Sequence, residues 1–514
     1  MNLIRNILLA CLLVQALPFF AQECKLTVAI YVTDSASDIP LAYSTIYIDE
    51  IEFGMVTDSI GYASLNNQCP GPLHIEIGHL GCSTQSYFIQ LISDTILRFK
   101  LEHHSELLDE IVVHGHQDEG STEVSSTITF NEISSNSNKN IADVLNAVPG
   151  VRSLKNGGIS KPIIHGLFGN RVALVNNGLV QSGQQWGNDH APEIDPFSAD
   201  HIAVIKGAGA MEYGTNAVGG VVLVDSDIIG DDPHLSGQLN YLYETNGRGH
   251  TINGALQESN NTLSWRWTGT FKRKGDSSTP EYLLNNTGLR EINSSIHMEQ
   301  NWNQRHSSTL NYALFTTKLG VLRGSQIGNL TDLEQAIIRD EPFYTSDTFS
   351  YSIDAPNQNV THHLLKLQHD YFLSDQKAII LKYGGQLNQR DEFDVRRGGR
   401  SDTPALSLNQ YQHFGSIVYN QEFKGNAILK SGLQVTFTDN ANNPGTGILP
   451  LIPRYEQWVP AFFTSWQNQR NKWTYEMGVR YELRYLDVTN ITQTLPRELE
   501  FISHKFENIA SSIG

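Results

Sequence analysis

From Leu235 onward the chain keeps a period of two, and no other feature restricts its possible folds as much. Leu263, Trp265, Trp267, Gly269 and Phe271 share one parity, and Ser264, Arg266, Thr268 and Thr270 share the other. The same alternation runs through 306–319, 361–373, 378–390, 411–423, 427–437 and 473–485. Successive side chains of a strand point to opposite faces, so each stretch is a strand with an apolar or aromatic face and a polar one. Segments of about nine to thirteen such residues are long enough to cross hydrocarbon, and inside lipid every backbone group must be paired, which strands achieve only in a barrel. A large soluble β-domain would alternate in the same way, so the preceding segments decide between the two. Long polar inserts at 275–289, 320–359, 391–410 and 440–456 alternate with short turns; in a membrane barrel the long connections are extracellular. Roughly eleven strands fit between Leu235 and Gly514.

The first segment is an address. Met1 to Arg5 gives a short positive start, Ile7 to Phe20 is nearly all apolar, and Ala21-Gln22 is a plausible cleavage point, so residues 1–21 read as a secretory signal peptide. A lipoprotein signal ending at Cys11 would have too short an apolar core. No later stretch has the roughly 18 consecutive apolar residues of a membrane helix. Lys and Arg number 36 against 54 Asp and Glu, a formal charge of −18, which excludes nucleic acid as the main partner because phosphate binding needs a cationic surface.

Between residues 22 and 103 short β-rich runs alternate with turn residues: 26–32, 44–48 and 73–77, separated by Gly54, Gly61, Pro70-Gly71 and Gly81. This spacing predicts a small β-sandwich. Together with the strand, Asp/Gly turn and strand of 56–63, it resembles the carboxypeptidase-regulatory-like module that precedes outer-membrane receptors in Bacteroidetes-type bacteria. The resemblance implies a sandwich and no peptidase activity, and the chain holds no zincin motif. Cys24, Cys69, His79 and Cys82 could form a Cys3His zinc site if the sandwich gathers them. The alternatives are a Cys69–Cys82 or Cys24–Cys69 disulfide, or buried thiols, in a compartment that permits oxidation.

Next comes an acidic pair followed by β-branched residues, Asp109, Glu110, Ile111, Val112 and Val113, suited to adding a strand to another protein's sheet. A polar Gly/Ser/Thr-rich stretch follows, so 108–126 resembles a TonB box and its linker. Over 127–226 three blocks occur in order. An apolar helical pattern at 141–151 stops at Pro149-Gly150; a strand, Gly-rich turn and strand at 163–178 end on Asn177-Gly178; and the glycine-punctuated run 202–224 follows. Their order and spacing resemble the plug domain of TonB-dependent outer-membrane receptors. The resemblance covers the chain from Leu108 onward and implies a mainly β protein: the sandwich, an α/β plug, and an antiparallel transmembrane barrel from 235 to 514. Receptors of this family have twenty-two strands, so 235–514 is expected to be about half a barrel, cut short at its C-terminal end.

Other chemistries find no foothold. Gly207 and Gly209 lack the third glycine of a dinucleotide turn, 225–232 lacks the spacing and closing Glu of a calcium loop and reads as a plug-to-barrel hinge, and no Gly-x-Ser-x-Gly elbow exists. The protein is therefore read as no enzyme, with no required cofactor. The segment 184–196 speaks to the ligand. Asp189, His190, Glu193 and Asp195 form a carboxylate-imidazole set suited to Zn2+ or another first-row ion, and the Asp-His pair resembles the plug ligands of zinc-transporting receptors. The competing reading is a structural turn, with Asp195 as a cap and Pro192 and Pro196 as stiffeners. His362 and His363 are adjacent on a strand, so at most one faces the lumen.

The expected function is energised uptake at the outer membrane, with the TonB–ExbB–ExbD complex and outer-membrane lipids as partners and a scarce nutrient as ligand. A metal ion such as zinc leads; a siderophore, metal chelate, vitamin or oligosaccharide is the alternative. A surface adhesin or structural protein is the alternative of another class, and it would need neither plug nor TonB box.

Overall fold

The computed structural model describes residues 24–101 and 126–514, apart from 36–38, 52, 80–81, 83, 157–158, 184–189, 206–207, 215–216, 228, 230–233, 261, 326–328 and 471–472. The signal segment, the TonB-box stretch Asp109, Glu110, Ile111, Val112 and Val113, and Asp189 lie outside the described residues.

The N-terminal unit is a two-sheet sandwich. β1 (Leu26–Asp34), β4 (Tyr62–Gln68) and β7 (Thr95–Leu101) form one sheet in the order β4-β1-β7, and β2 (Thr45–Ile48), β3 (Phe53–Val56), β5 (Gly71–Gly78) and β6 (Gln85–Leu91) form the other in the order β3-β2-β5-β6. Alternate residues of both sheets meet in the core: Val28, Ile30 and Val32 from one, Ile46, Ile48, Ile75 and Ile77 from the other. The chain changes sheets between β3 and β4 through the expected turn. Asp58 Oδ1 accepts from the backbone N–H groups of Ile60 and Tyr62, each at 2.9 Å, and Gly61 takes φ 68°.

The Cys3His zinc set is not assembled. Cys24 and Cys69 form a disulfide, beside the pairing of Leu26 with Gln68, so two of the four groups have no thiolate to offer. Cys82 keeps its thiol, packed against the sandwich core with Sγ 3.7 Å from His79 Nδ1.

The second unit begins with the plug. Its five-stranded sheet has the order β12-β11-β14-β13-β8, built from β8 (Ser126–Thr129), β11 (Ala173–Asn176), β12 (Leu179–Val180), β13 (His201–Ile205) and β14 (Val221–Asp225); β9 (Val151–Asn156) and β10 (Ile159–Ile164) form a separate hairpin. All four residues of β11 are buried, as are Val221 to Val224 of β14, because this sheet is covered on both faces and needs no alternation. Helix α1 (Phe130–Ser135) is capped reciprocally by Thr129 and Glu132, and α2 (Ile141–Val144) by Asn140. The expected helix over 141–151 is thus a single α-turn with a short tighter extension to Ala147. Pro149 disfavours helical geometry at Val148, which is extended at ψ 129°. Asn177 and Gly178 take φ 49° and 77°, the left-handed pair that a two-residue hairpin turn demands.

Twelve long antiparallel strands follow, each paired with its neighbour in sequence order: β15 (Ser236–Glu244), β16 (Gly249–Ser259), β17 (Leu263–Lys274), β20 (Leu289–Asn303), β21 (His306–Gly320), β23 (Asn357–Ser374), β24 (Lys377–Phe393), β25 (Leu406–Phe423), β26 (Ala427–Asn442), β27 (Arg454–Arg470), β28 (Trp473–Ile491) and β29 (Leu499–Ile513). Twelve replaces the expected eleven. The parity read from the sequence holds: Trp267 and Phe271 are 40% and 42% exposed on the outer face, while Thr268 and Thr270 are buried against the plug side. At the loop end, β18 (Ser277–Ser278), β19 (Leu283–Leu284) and β22 (Thr345–Ser346) join the inserts after β17 and β21 into a small sheet. Buried Asp276 fastens them, accepting from the N–H groups of Asn286 at 2.8 Å, Thr287 at 3.4 Å and Ser350 at 3.2 Å. Helix α3 (Leu330–Ile338) lies in the second insert.

Candidate functional site at the plug and barrel wall

The inward faces of β23 and β24 carry the residues that meet the plug. Parity places His362 inward and His363 outward, where the Tyr312 hydroxyl lies 2.9 Å from His363 Nδ1. The same parity turns Gln386, Asn388 and Arg390 inward. From the plug side the chain leaves β12 and runs along this wall. Ser182 N–H donates to Gln386 Oε1 at 3.0 Å, and Gln386 Nε2 donates to the Val180 carbonyl at 2.9 Å. Gly183, at φ 86°, lies so close that a Cβ would sit 2.7 Å from the Asn388 amide. Only glycine fits there on both counts.

Glu193 is the centre of the contact. Its carboxylate accepts from Arg390 Nη2 and from Asn388 Nδ2, and His362 Nδ1 lies 3.5 Å from its Oε2. Arg390 also donates to Gln358 Oε1 at 3.1 Å. Glu193, Arg390 and His362 are all at least 96% buried. Burial pushes the Glu193 carboxyl up, but the Arg390 guanidinium, with His362 behind it, prevails and holds the group below the usual carboxylate range. His190 takes a neighbouring partner, its Nε2 3.0 Å from Glu392 Oε1. Burial and the nearby Arg390 charge lower the His190 pKa, so the ring is neutral at physiological pH, and its buried Nδ1 has no hydrogen-bond partner.

Asp195 goes elsewhere. Its Oδ1 accepts from Phe197 N–H at 3.1 Å and caps the short turn Pro196–Ser198, as the structural reading of this segment expects. Burial raises its pKa, against the attraction of Lys272, whose Nζ is 3.1 Å from Glu291 Oε1. Of the four residues Asp189, His190, Glu193 and Asp195, the three described ones therefore turn to three different partners. Among the described residues no group of three His, Cys, Asp or Glu side chains is placed to hold a metal. Pairing of Glu193 with Arg390 was not foreseeable, since the two are far apart in sequence; the only signal was the inward parity of Arg390.

At the hinge, His201 Nδ1 lies 2.9 Å from Asp227 Oδ1, and Arg266 of the wall pairs with Asp200. Further around the wall a cavity of about 530 Å3 lies between plug residues such as Ser182 and Tyr213 and the inner faces of β24 to β28. Amides line it, Gln386, Gln412 and Gln434 among them, with three cations, Lys382, Arg480 and Arg484, against two carboxylates, Glu212 and Glu482. Arg480 and Arg484 both bond Glu482, and Arg480 Nη1 donates to Gln434 Oε1 at 2.7 Å.

Residues 117–221 match the family described as TonB-dependent Receptor Plug Domain, and residues 31–113 match the CarboxypepD_reg-like domain. A curated relative, the TonB-dependent heme receptor A of Haemophilus ducreyi, is 28% identical over 185 residues, which is 34% of this chain and 24% of that protein. Among solved structures, the ferric-catecholate import receptor Fiu of E. coli K12 superposes with a TM-score of 0.58 at 12% identity, covering 76% of this chain and 66% of that one. The siderophore receptor PiuA of Acinetobacter baumannii gives 0.55 at 12% identity over 77% and 62%, and the copper transporter OprC gives 0.53 at 14% over 72% and 56%. The chain spans about a quarter of the curated relative and less than two thirds of each of these three structures.

Proposed function

Since the chain is a TonB-dependent receptor of the outer membrane with an N-terminal CarboxypepD_reg-like domain, we propose that it imports a scarce nutrient, driven through the plug by the TonB–ExbB–ExbD complex. The observation that carries this reading is the character of the plug-to-wall contact. The plug has its own apolar core of Ile128, Ile133, Ile141, Val144 and their neighbours, while its contact with the wall is made by Glu193, His190, Arg390, Asn388 and Gln386. Water can take over hydrogen bonds and ion pairs, so a plug seated in this way can shift against the wall without losing its own core. An adhesin has no use for that arrangement. Pulling on Asp109 to Val113 is the proposed trigger.

For the ligand, the proposal is a first-row metal ion such as zinc, met by Asp189 and His190. A neutral, buried imidazole with a free Nδ1 supports this, because a metal needs the unprotonated ring. Glu193 and Asp195 are withdrawn from the ligand set by their partners. A second reading, an anionic metal chelate, is favoured by the three cations facing two carboxylates in the lumenal cavity.

The test is radiozinc uptake by cells carrying the full-length gene, comparing wild type, Asp189→Ala/His190→Ala, and a deletion of Asp109 to Val113. Loss of uptake in both variants, with normal amounts in the outer membrane, supports the whole reading. If the deletion removes a growth function while zinc uptake never depended on the protein, the transporter reading stands and the zinc reading falls.

A further inference from the structure

At the loop end of the wall a cleft of about 450 Å3 opens away from the lumen. Its floor is the start of β23, where Asn357 and Asn359 share the outward parity of His363. Asn357 is only 6% exposed, yet its side-chain oxygen and that of Asn359 are buried without a hydrogen-bond partner. Buried acceptors left without donors are costly, so the floor calls for an occupant that brings hydrogen-bond donors.

The walls carry opposite charges. On the β21 side stand Lys318, paired in register with Asn359, and Arg323 of the following insert, which lies 4.1 Å from the centroid of the Tyr344 ring. Asp402 stands in the insert after β24, and Asp354 in the segment just before β23. Among the described residues none of these four charges is in an ion pair, with one another or elsewhere. Two cations and two carboxylates cancel, so a purely anionic or purely cationic ligand would leave one wall unmatched. Ile353, Phe393 and Val395 add apolar surface.

The spacing of the walls narrows the class further. β21 and β24 flank β23, so they stand two strand spacings apart, about 10 Å. A chain of two or three residues, at about 3.5 Å each, separates its ammonium and carboxylate ends by about 7–10 Å. A free amino acid is too short to reach both walls and has no amide N–H for the floor.

We propose that this cleft binds short peptides of two or three residues with free termini. The carboxylate meets Lys318 and Arg323, the ammonium meets Asp354 and Asp402, and the amide N–H groups donate to Asn357 and Asn359. The cleft faces away from the plug, so it is separate from the path of the imported solute and does not depend on what that solute is.

The test is calorimetric titration of the full chain, purified in detergent, with the tripeptide alanyl-leucyl-alanine, its acetylated and amidated forms, and leucine. The free tripeptide is expected to bind at least about tenfold more tightly than the doubly blocked form or leucine, because each end contributes a charge-assisted hydrogen bond. Lys318→Gln/Arg323→Gln should lose about tenfold toward the free tripeptide but not toward its C-terminal amide, and Asp354→Asn/Asp402→Asn about tenfold toward the free tripeptide but not toward its N-acetyl form. Heat-resistant migration on gels checks that these variants fold; Arg323→Gln and Asp402→Asn alone, each expected to lose several-fold, stand in for a pair that does not. Equal binding of the doubly blocked tripeptide or of leucine, undiminished binding by both kinds of variant, or no binding of the free tripeptide at millimolar concentration overturns the proposal.

Discussion

Replacing Arg390 with Met is expected to loosen the plug's seat on the wall without disturbing the plug's own core. In the native protein the Glu193 carboxylate, 4% exposed, is balanced by Arg390, 2% exposed. Removing one partner of a buried pair leaves the other charge uncompensated, at a cost of about 3–5 kcal/mol. Asn388 and His362 remain beside Glu193 and can accept part of that burden, so about 3 kcal/mol is the expectation. At 1.4 kcal/mol per factor of ten, the detached population rises on the order of a hundredfold. Amide hydrogen exchange across Ile194 to Ser198 reads that population directly, while the sheet residues of β13 and β14 serve as an internal reference for the plug core. The companion variant Glu193→Leu/Arg390→Met removes both charges and should recover protection to within about 1 kcal/mol of wild type, since replacing a buried pair by apolar groups is often neutral. Equal loss in the single and double variants, or unchanged exchange in Arg390→Met, would show that this ion pair does not seat the plug.

Three further outcomes are expected. The Asp227 carboxylate 2.9 Å from its ring, outweighing burial, raises the pKa of His201, so its stabilisation of the hinge is complete below the ordinary histidine value of about 6.5 and is lost as pH rises through the raised value; exchange at Ser226 and Asp227, corrected for its intrinsic pH dependence, should accelerate over that range in wild type and show no such step in Asp227→Asn. Cys24→Ser/Cys69→Ser opens a loop of 45 residues and should cost the sandwich about 4 kcal/mol, read as a lowered first transition in calorimetry that reducing agent reproduces in the wild type. Asp276→Ala leaves three backbone donors without their acceptor and should cost the joined loops about 2–4 kcal/mol, read as faster protease nicking within 321–356, roughly thirtyfold or more.

How much of this was legible depended on the range of the interaction. The strands of the wall were readable because their period is local: Trp265, Trp267 and Phe271 need only their own neighbours in sequence to declare an outer face. The Asn177-Gly178 turn and the Asp195 cap were readable for the same reason, each being set within two or three residues. Strand count was harder, because β29 (Leu499–Ile513) has exposed residues of both kinds on both parities and carries little alternation to detect. The sequence grouping of His190, Glu193 and Asp195 suggested one shared ligand, but extended and turning backbone sends the three side chains to Glu392, Arg390 and the N–H of Phe197. Nothing near Glu193 in sequence announces Arg390, which a different strand supplies.

The strands from β23 to β28 run 16 to 19 residues. At ~3.3 Å per residue and a tilt near 45°, nineteen residues stand ~44 Å tall, against an apolar band of ~25 Å. About 20 Å of the wall's height therefore lies outside the hydrocarbon, counted over its two ends. The plug contact does not lie at the wall's foot: Arg390 stands three residues from the loop end of β24 and His362 five from that of β23, so Glu193 is met roughly 7–12 Å below the strand ends. A solute that passes the loops therefore reaches Glu193 almost at once, with most of the wall's height still below it.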